Sequence, residues 1–277
     1  MTSKLELLLA ERRPLVMGVV NVTPDSFSDG GRYLKVGAAV ERALSMVREK
    51  VDIVDIGGES TRPGANPVPQ ETEIKRVVPV IQRIREKSEV CISVDTSTPE
   101  VMRQAALVGC NIINDVRSLT REGALDAAAE TGLAVCLMHM KGVPSNMQDN
   151  PSYENLIEEI CDFFRERISA CKHVGIDSER LLIDPGFGFG KTAIHNLEII
   201  NRLRQFKCFG LPILVGVSRK STNRKILRGK QESLKMGSVA AALIASLNGA
   251  NILRVHDVEE TVASLRVAQS IVNESFF

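Results

Sequence analysis

Short apolar runs alternate with longer amphipathic segments along this chain, eight times over, and that alternation constrains the fold more than any other feature. The runs are Leu15–Val20, Val51–Ile56, Val90–Val94, Ile112–Ile113, Ala134–Met138, Leu181–Ile183, Ile213–Val217 and Ile252–Val255. Most are β-branched or Leu-rich and lack clean polar alternation, as expected of parallel strands buried on both faces. After them come helical patterns at Ala38–Glu49, Glu71–Lys87, Pro99–Leu107, Ala124–Glu130, Tyr153–His173, Asn196–Gln205, Leu234–Leu247 and Val258–Val272. Strand–helix units repeated in this way predict a parallel α/β fold, and eight of them favour closure into a (β/α)8 TIM barrel. The alternative, a doubly wound open sheet, usually has fewer strands and a glycine fingerprint in its first turn. Here the first strand ends in Asn21-Val22-Thr23-Pro24 instead.

A chain of 277 residues is close to the roughly 250 typical of such a barrel. No linker, low-complexity tract or charge run divides it, so residues 1–277 read as one domain, with 1–14 preceding the first strand. The net charge of +1 and the lack of a Lys/Arg block give no support to a nucleic-acid or membrane-surface partner. Leu7–Ala10 is too short for a signal-peptide core, and Val239–Ala245 is far short of a bilayer span. The six cysteines show no paired spacing, and Cys91 and Cys136 fall inside apolar runs. A reducing, cytoplasmic compartment is therefore expected.

Polar residues stand where each run stops. Asn21 ends the first, Glu59-Ser60-Thr61-Arg62 follow the second, Asp95 ends the third, and Asn114-Asp115 the fourth. His139, Asp184, Ser218-Arg219-Lys220 and the pair Arg254 and His256 mark the remaining four. In a barrel these ends open on one face, the face that carries active sites. Asp95, Asn114, Asp184 and Lys220 suit a flat heterocycle with a guanidine-like edge, because a carboxylate accepts two parallel N–H bonds. A strand-end Asp also caps helices, and Asp95-Thr96-Ser97 is partly of that form. Asn21, Thr61, Arg62, Arg254 and His256 come from strands one, two and eight, which become neighbours on closure, and they suit phosphate or pyrophosphate. Asn21 and a loop carboxylate such as Asp29 could share a Mg2+ with phosphate oxygens. Gly186–Thr192 resembles a P-loop, but only three residues separate Gly186 from Gly190-Lys191-Thr192 where four are needed, so it is not read as a nucleotide site. The four histidines have no zinc-type spacing.

At these positions the chain resembles the dihydropteroate synthase family. The resemblance rests on Asn21–Gly31, Asp55–Ala65, Ser93–Thr96, Ile113–Asp115, Leu137–Met140, Asp184–Gly190, Gly216–Ser221 and Arg254–Asp257, in order over nearly the whole chain. It implies condensation of 6-hydroxymethyl-7,8-dihydropterin diphosphate with p-aminobenzoate, giving 7,8-dihydropteroate and diphosphate. Asp95, Asn114 and Asp184 would read the pterin, and Lys220 would contact the ring near the incoming amine. Asn21 would bind Mg2+, while Thr61, Arg62, Arg254 and His256 hold the diphosphate. Phe27, Pro63, Phe189 and Ser221 would border the p-aminobenzoate pocket, where sulfonamides compete in this family. Lys220, Arg254 and His256 are then the catalytic candidates, acting electrostatically on a departing diphosphate and a cationic ring. A homodimer is a family trait; the Ala-rich helix Val239–Ala250 could pack either such a dimer or the barrel itself. Two rivals are a pterin-dependent methyl-transfer domain and an inactive paralogue serving as a partner subunit. Two departures from the family pattern stand out: polar Thr222-Asn223-Arg224 after Ser221, and Lys50-Val51 where Gly-Ala is common.

Overall fold

Every strand of this chain is buried on both faces, so its helices must wrap the sheet completely. The structure is a computed structural model that describes residues 3–22, 32–60, 64–65, 67–143, 146–230 and 233–275. The strands are β1 Leu15–Asn21, β2 Ile53–Gly57, β3 Cys91–Asp95, β4 Ile112–Asp115, β5 Ala134–Met138, β6 Leu181–Asp184, β7 Leu214–Val215 and β8 Ile252–Val255. All pair in parallel, in the order β6-β5-β4-β3-β2-β1-β8-β7. The ring is completed between β6 and β7 by a single bridge, Ile183 to Ile213, with Ile183 N donating to Pro212 O at 3.0 Å. The fold is the expected (β/α)8 TIM barrel.

Around it lie α2 Arg32–Arg48, α3 Gln70–Arg85, α4 Pro99–Leu107, α5 Ala124–Thr131, α6 Leu156–His173, α7 Ala193–Asn201, α8 Ser221–Ile226, α9 Leu234–Leu247 and α10 Val258–Asn273. A further helix, α1 Lys4–Ala10, lies where only a leading segment was expected. Its Leu5 packs with Leu15, Met17, Ile53, Cys91, Ile112, Ala134, Cys136, Leu182, Leu214 and Ile252, the inward side chains at the barrel's N-terminal end. So α1 is the plug of that end. It is started by a capping box in which Ser3 and Glu6 exchange hydrogen bonds at 3.2 Å. The much larger outer core lies between sheet and helices. With apolar side chains filling one end of the barrel, its polar inward positions are left for the other.

Helix α2 ends in a Schellman turn: Val51 N donates to Met46 O at 3.0 Å and Lys50 N to Val47 O at 3.1 Å. Lys50 accordingly sits at φ 69°, a left-handed conformation that strains any residue with a Cβ. Lys50→Gly is expected to stabilise the fold by about 1 kcal/mol, with activity unchanged because the turn lies at the barrel end opposite the mouth. An unaltered urea midpoint would show that the strain is absent.

Candidate active site

Inward-facing positions recur every second residue along each strand, so the last one of each strand points into the mouth. Register places Gly57, Asp95 and Asn114 side by side on β2, β3 and β4, and Asp184 beside Met138 on β6. Gly57 packs directly against Asp95 and Asn21: a Cβ there would stand in ordinary contact with the Asp95 Cβ at 3.5 Å and Asn21 Oδ1 at 3.6 Å. Asp95 and Asn114 therefore share one rung, and Asp184 is gathered to them through Lys220 and Arg254, each of which interacts with both Asp95 and Asp184. Lys220 reaches the same space from the loop after β7, its Nζ 4.2 Å from the centre of the Phe189 ring. Strands β2, β1 and β8, which carry the expected anion site, are adjacent as anticipated. Phe27, Asp29, Thr61, Arg62 and Pro63 lie outside the described residues.

Arg254 does more than face an anion. Its Nε donates to Asp55 Oδ2 and its Nη2 to Asp95 Oδ2, both at 2.7 Å, so the guanidinium lies across the floor between the two expected subsites. Burial opposes its charge, but Asp55 and Asp95 hold it protonated, above the ordinary range for an arginine. Asp95 does not cap α4; the N-cap of that helix is Thr98, with no side-chain cap hydrogen bond. Burial pushes the Asp95 carboxyl up to about 7 against the pull of Arg254, with Asp55, Asp115 and Glu73 adding repulsion. Asp184 is raised to about 6, again by burial, although its Oδ1 accepts from Gly186 N at 2.8 Å. Lys220 is lowered to about 8 by burial and by Arg254. Perturbed groups of both signs converging on one pocket are the signature of a working site.

His256 bonds Ser218 Oγ through both its backbone N and its Nδ1, each at 3.2 Å. Burial, with Arg254 and Arg219 nearby, lowers it to about 4. At neutral pH it therefore offers a neutral ring N–H to an anion rather than a charge. Arg219, at φ 55°, clamps the same strand end through a two-point pairing with Asp257. The polar departure after Ser221 is internally satisfied: Thr222 Oγ1 accepts from Asn196 at 2.9 Å, and Asn223 donates to Val217 O at 2.8 Å. Since Asn196 Oδ1 also accepts from Gly188 N, Thr222 ties α8 to the loop that carries Phe189.

Sequence reading passed over three contributors. Asp55, buried on β2, bonds Arg254 and also accepts from Asn114 Nδ2 at 3.3 Å. Lys191, buried and lowered to about 7 by desolvation, donates to Phe189 O at 3.0 Å and bonds His139 Nδ1 at 2.8 Å. It pins the β6–α7 loop onto the end of β5; Gly186 allows that approach, since a Cβ there would stand 1.8 Å from His139 O. Arg117 joins Glu59 at 3.2 Å to Ser97 at 3.0 Å, and Ser97 bonds Asp115, so the loops after β2, β3 and β4 share one network. A carboxylate inside an apolar run was the available signal for Asp55. For Lys191 it was the lysine closing the glycine series.

A closed barrel whose mouth gathers buried carboxylates, an amide, a lysine and an arginine defines a barrel enzyme for a small polar heterocycle. Residues 17–256 match the model of the family described as pterin binding enzyme. The chain is 53% identical to dihydropteroate synthase of Escherichia coli strain K12, over 94% of this chain and 92% of that one. The Yersinia pestis dihydropteroate synthase, in a sulfonamide drug complex, superposes with a TM-score of 0.90 at 47% identity, covering 95% of each chain. The Xanthomonas albilineans dihydropteroate synthase with 4-aminobenzoic acid gives 0.88 at 49%, covering 94% and 93%. The chain belongs to the pterin binding enzymes, and among them to the dihydropteroate synthase family of transferases.

Proposed function

We propose that this enzyme condenses 6-hydroxymethyl-7,8-dihydropterin diphosphate with p-aminobenzoate, yielding 7,8-dihydropteroate and diphosphate. The observation that carries this reading is the gathering of Asp95, Asn114 and Asp184 around Lys220 and Arg254. Ionised carboxylates accept from the amino group and ring N–H groups of the pterin. Lys220 borders the ring on the side of Phe189, and Ser221 begins the helix beside it. Arg254, His256, Thr61 and Arg62 hold the diphosphate, and Phe27, Pro63, Phe189 and Ser221 enclose the aromatic acid. The C–O bond to diphosphate breaks as the arylamine nitrogen bonds the methylene carbon, and the amine proton is released. Preorganised charges carry most of that step.

Asn21 offers a neutral oxygen at the end of β1, and the described residues include no group of three His, Cys, Asp or Glu that could hold a metal. That donor set fits Mg2+, which takes few protein ligands and completes its shell with water and phosphate oxygens. Asn21 with Asp29 would hold it, and when bound it would neutralise charge on the departing diphosphate. No helix among the described residues is long and apolar enough to cross a membrane; we place the enzyme in the cytoplasm. Exposed Ile194, Leu197, Ile226, Met236, Ile244 and Leu247 on α7, α8 and α9 support a homodimer through that face.

Incubation with both substrates and Mg2+ should release diphosphate only when the arylamine is present, and form dihydropteroate in equal amount. Pterin binding without diphosphate release would favour the methyl-transfer or inactive-subunit readings. Ordered binding is also expected, because the proposed walls Phe27 and Pro63 share their loops with the diphosphate and Mg2+ ligands Asp29, Thr61 and Arg62. Filling the anion site should tighten p-aminobenzoate by about 1–3 kcal/mol. Equal affinities with and without Mg2+ and pyrophosphate, by calorimetry, would mean the pocket is preformed.

A further inference from the structure

Asp55 has no role in the scheme above, yet it occupies the centre of the barrel. Register sets it beside Ser93, one inward layer beneath Asp95 and Asn114. It is 0% exposed, whereas Asp95, Asn114 and Asp184 keep 6%, 4% and 5%. A ligand entering from the mouth meets those three and not Asp55. Its Oδ2 accepts from both Arg254 Nε at 2.7 Å and Asn114 Nδ2 at 3.3 Å, while its Oδ1 has no hydrogen-bond partner. A sealed carboxylate with one oxygen unbonded is a poor choice for stability, since a buried, unsatisfied acceptor is destabilising. What it does accomplish is directional. By taking the Nδ2 hydrogen, it turns Asn114 Oδ1 away from itself as an acceptor. By taking the Nε hydrogen, it fixes the plane of Arg254 and leaves the Nη groups to act above.

We propose that Asp55 is a positioning residue that sets the amide orientation of Asn114 and the guanidinium plane of Arg254 from below. It thereby governs recognition of both halves of the pterin diphosphate while touching neither. This rests on the pterin-binding reading of the site. Both halves lose affinity together when the Asp55 acceptor is removed, because one atom, Oδ2, serves both partners.

The test is Asp55→Leu, which keeps a similar volume and removes the acceptor oxygen shared by Arg254 and Asn114. Calorimetric titrations use 6-hydroxymethylpterin, which has no phosphate, and separately inorganic pyrophosphate with Mg2+. Both affinities should fall about tenfold or more, in a variant whose cooperative thermal transition shows that it is folded. A wild type that binds neither probe would defeat the pterin reading itself. A wild type that binds both, with a variant within twofold of it, would overturn the role of Asp55 alone. So would a loss confined to one probe. A measurement that needs no Asp55 variant covers a failure to fold: the Nε–H resonance of Arg254, assigned by its loss in Arg254→Lys, should be protected from exchange in both free and pterin-bound wild type. Rapid exchange in the bound state would also overturn the proposal.

Discussion

Asp184→Asn is expected to bind pterin roughly 30- to 150-fold more weakly, a loss of about 2–3 kcal/mol, and yet to melt several degrees higher at pH 7.5. The first effect follows from chemistry at the floor. The substitution replaces a charge-assisted acceptor with an amide that presents a donor to the pterin N–H groups. The second follows from burial. The Asp184 carboxyl is held at about 6 against an ordinary 3.8, because desolvation outweighs the attraction of Lys220, Lys191 and Arg254. A carboxylate raised on folding destabilises the native state above its folded pKa, and that penalty is relieved as pH falls through it. The shift corresponds to about 2–3 kcal/mol at pH 7.5. Asparagine mimics the neutral acid and can still accept from Gly186 N, so it removes the penalty at every pH. The stability gap should therefore shrink on acidification from about pH 7 towards 4, where the wild-type acid is itself neutral. Pterin affinity near that of the wild type would take Asp184 out of the pocket. A lower midpoint at pH 7.5 would mean that its ion pairs outweigh its burial.

What the sequence made legible divides along physical lines. Strands buried on both faces write themselves as apolar runs, and β5 and β8 agree residue for residue with the runs at Ala134–Met138 and Ile252–Val255. Helices α4 and α9 likewise agree at both ends. The run Ile213–Val217 yields only a two-residue strand, β7, because its contact with β6 is a single bridge and few ladder bonds define it. The pattern at Asn196–Gln205 splits into α7 and a 3-10 segment, Leu203–Phe209. Thr192 starts α7 with a capping box closed by His195, a partner that a search for Glu or Gln overlooks. Helix α1 was missed because seven residues are too few for periodicity to stand out; burial of Leu5 in the barrel end is what makes it a helix.

The same division holds at the mouth. Strand-end reasoning finds Asp95, Asn114 and Asp184, because the last inward residue of each strand faces the cavity. It is blind to Asp55, which lies a layer deeper inside an apolar run, and to contacts across the barrel such as Arg254 with Asp55, 199 residues apart. It also counts His139 as a mouth residue, whereas that ring is buried against Lys191 and Phe163 and held neutral, at about 2, by burial and the lysine. A polar residue at a strand end is a statement about position; only packing decides which way it faces.

Arg254→Met should have the largest effect of any single change at this site, and its stability loss should depend steeply on pH. The side chain is close in volume and keeps the apolar contacts of the stem, so the variant isolates the guanidinium. That group lies between Asp55 and Asp95, both nearly or wholly excluded from solvent. Removing the cation leaves two buried carboxylates facing each other, a situation that typically costs about 3–5 kcal/mol. Activity should fall at least 10²- to 10³-fold, the usual loss for one preorganised donor at a developing charge. The pH sign follows from Asp95. Even with Arg254 in place its carboxyl is raised to about 7, and without that attraction it rises further. The folded variant then takes up a proton that the unfolded chain does not, so its stability increases as pH falls through that raised value. Denaturation of the two proteins from pH 8.5 down to 5 should show the gap widest at the alkaline end, narrowing down to about pH 7 and levelling off below it, where the wild-type Asp95 takes up its own proton. Arg254→Lys, which keeps the charge but lacks the planar fork needed to reach both carboxylates, should recover part of the stability and little of the activity. A stability gap independent of pH would mean that Arg254 serves the fold through its packing, with no part in balancing the carboxylates beneath the pterin.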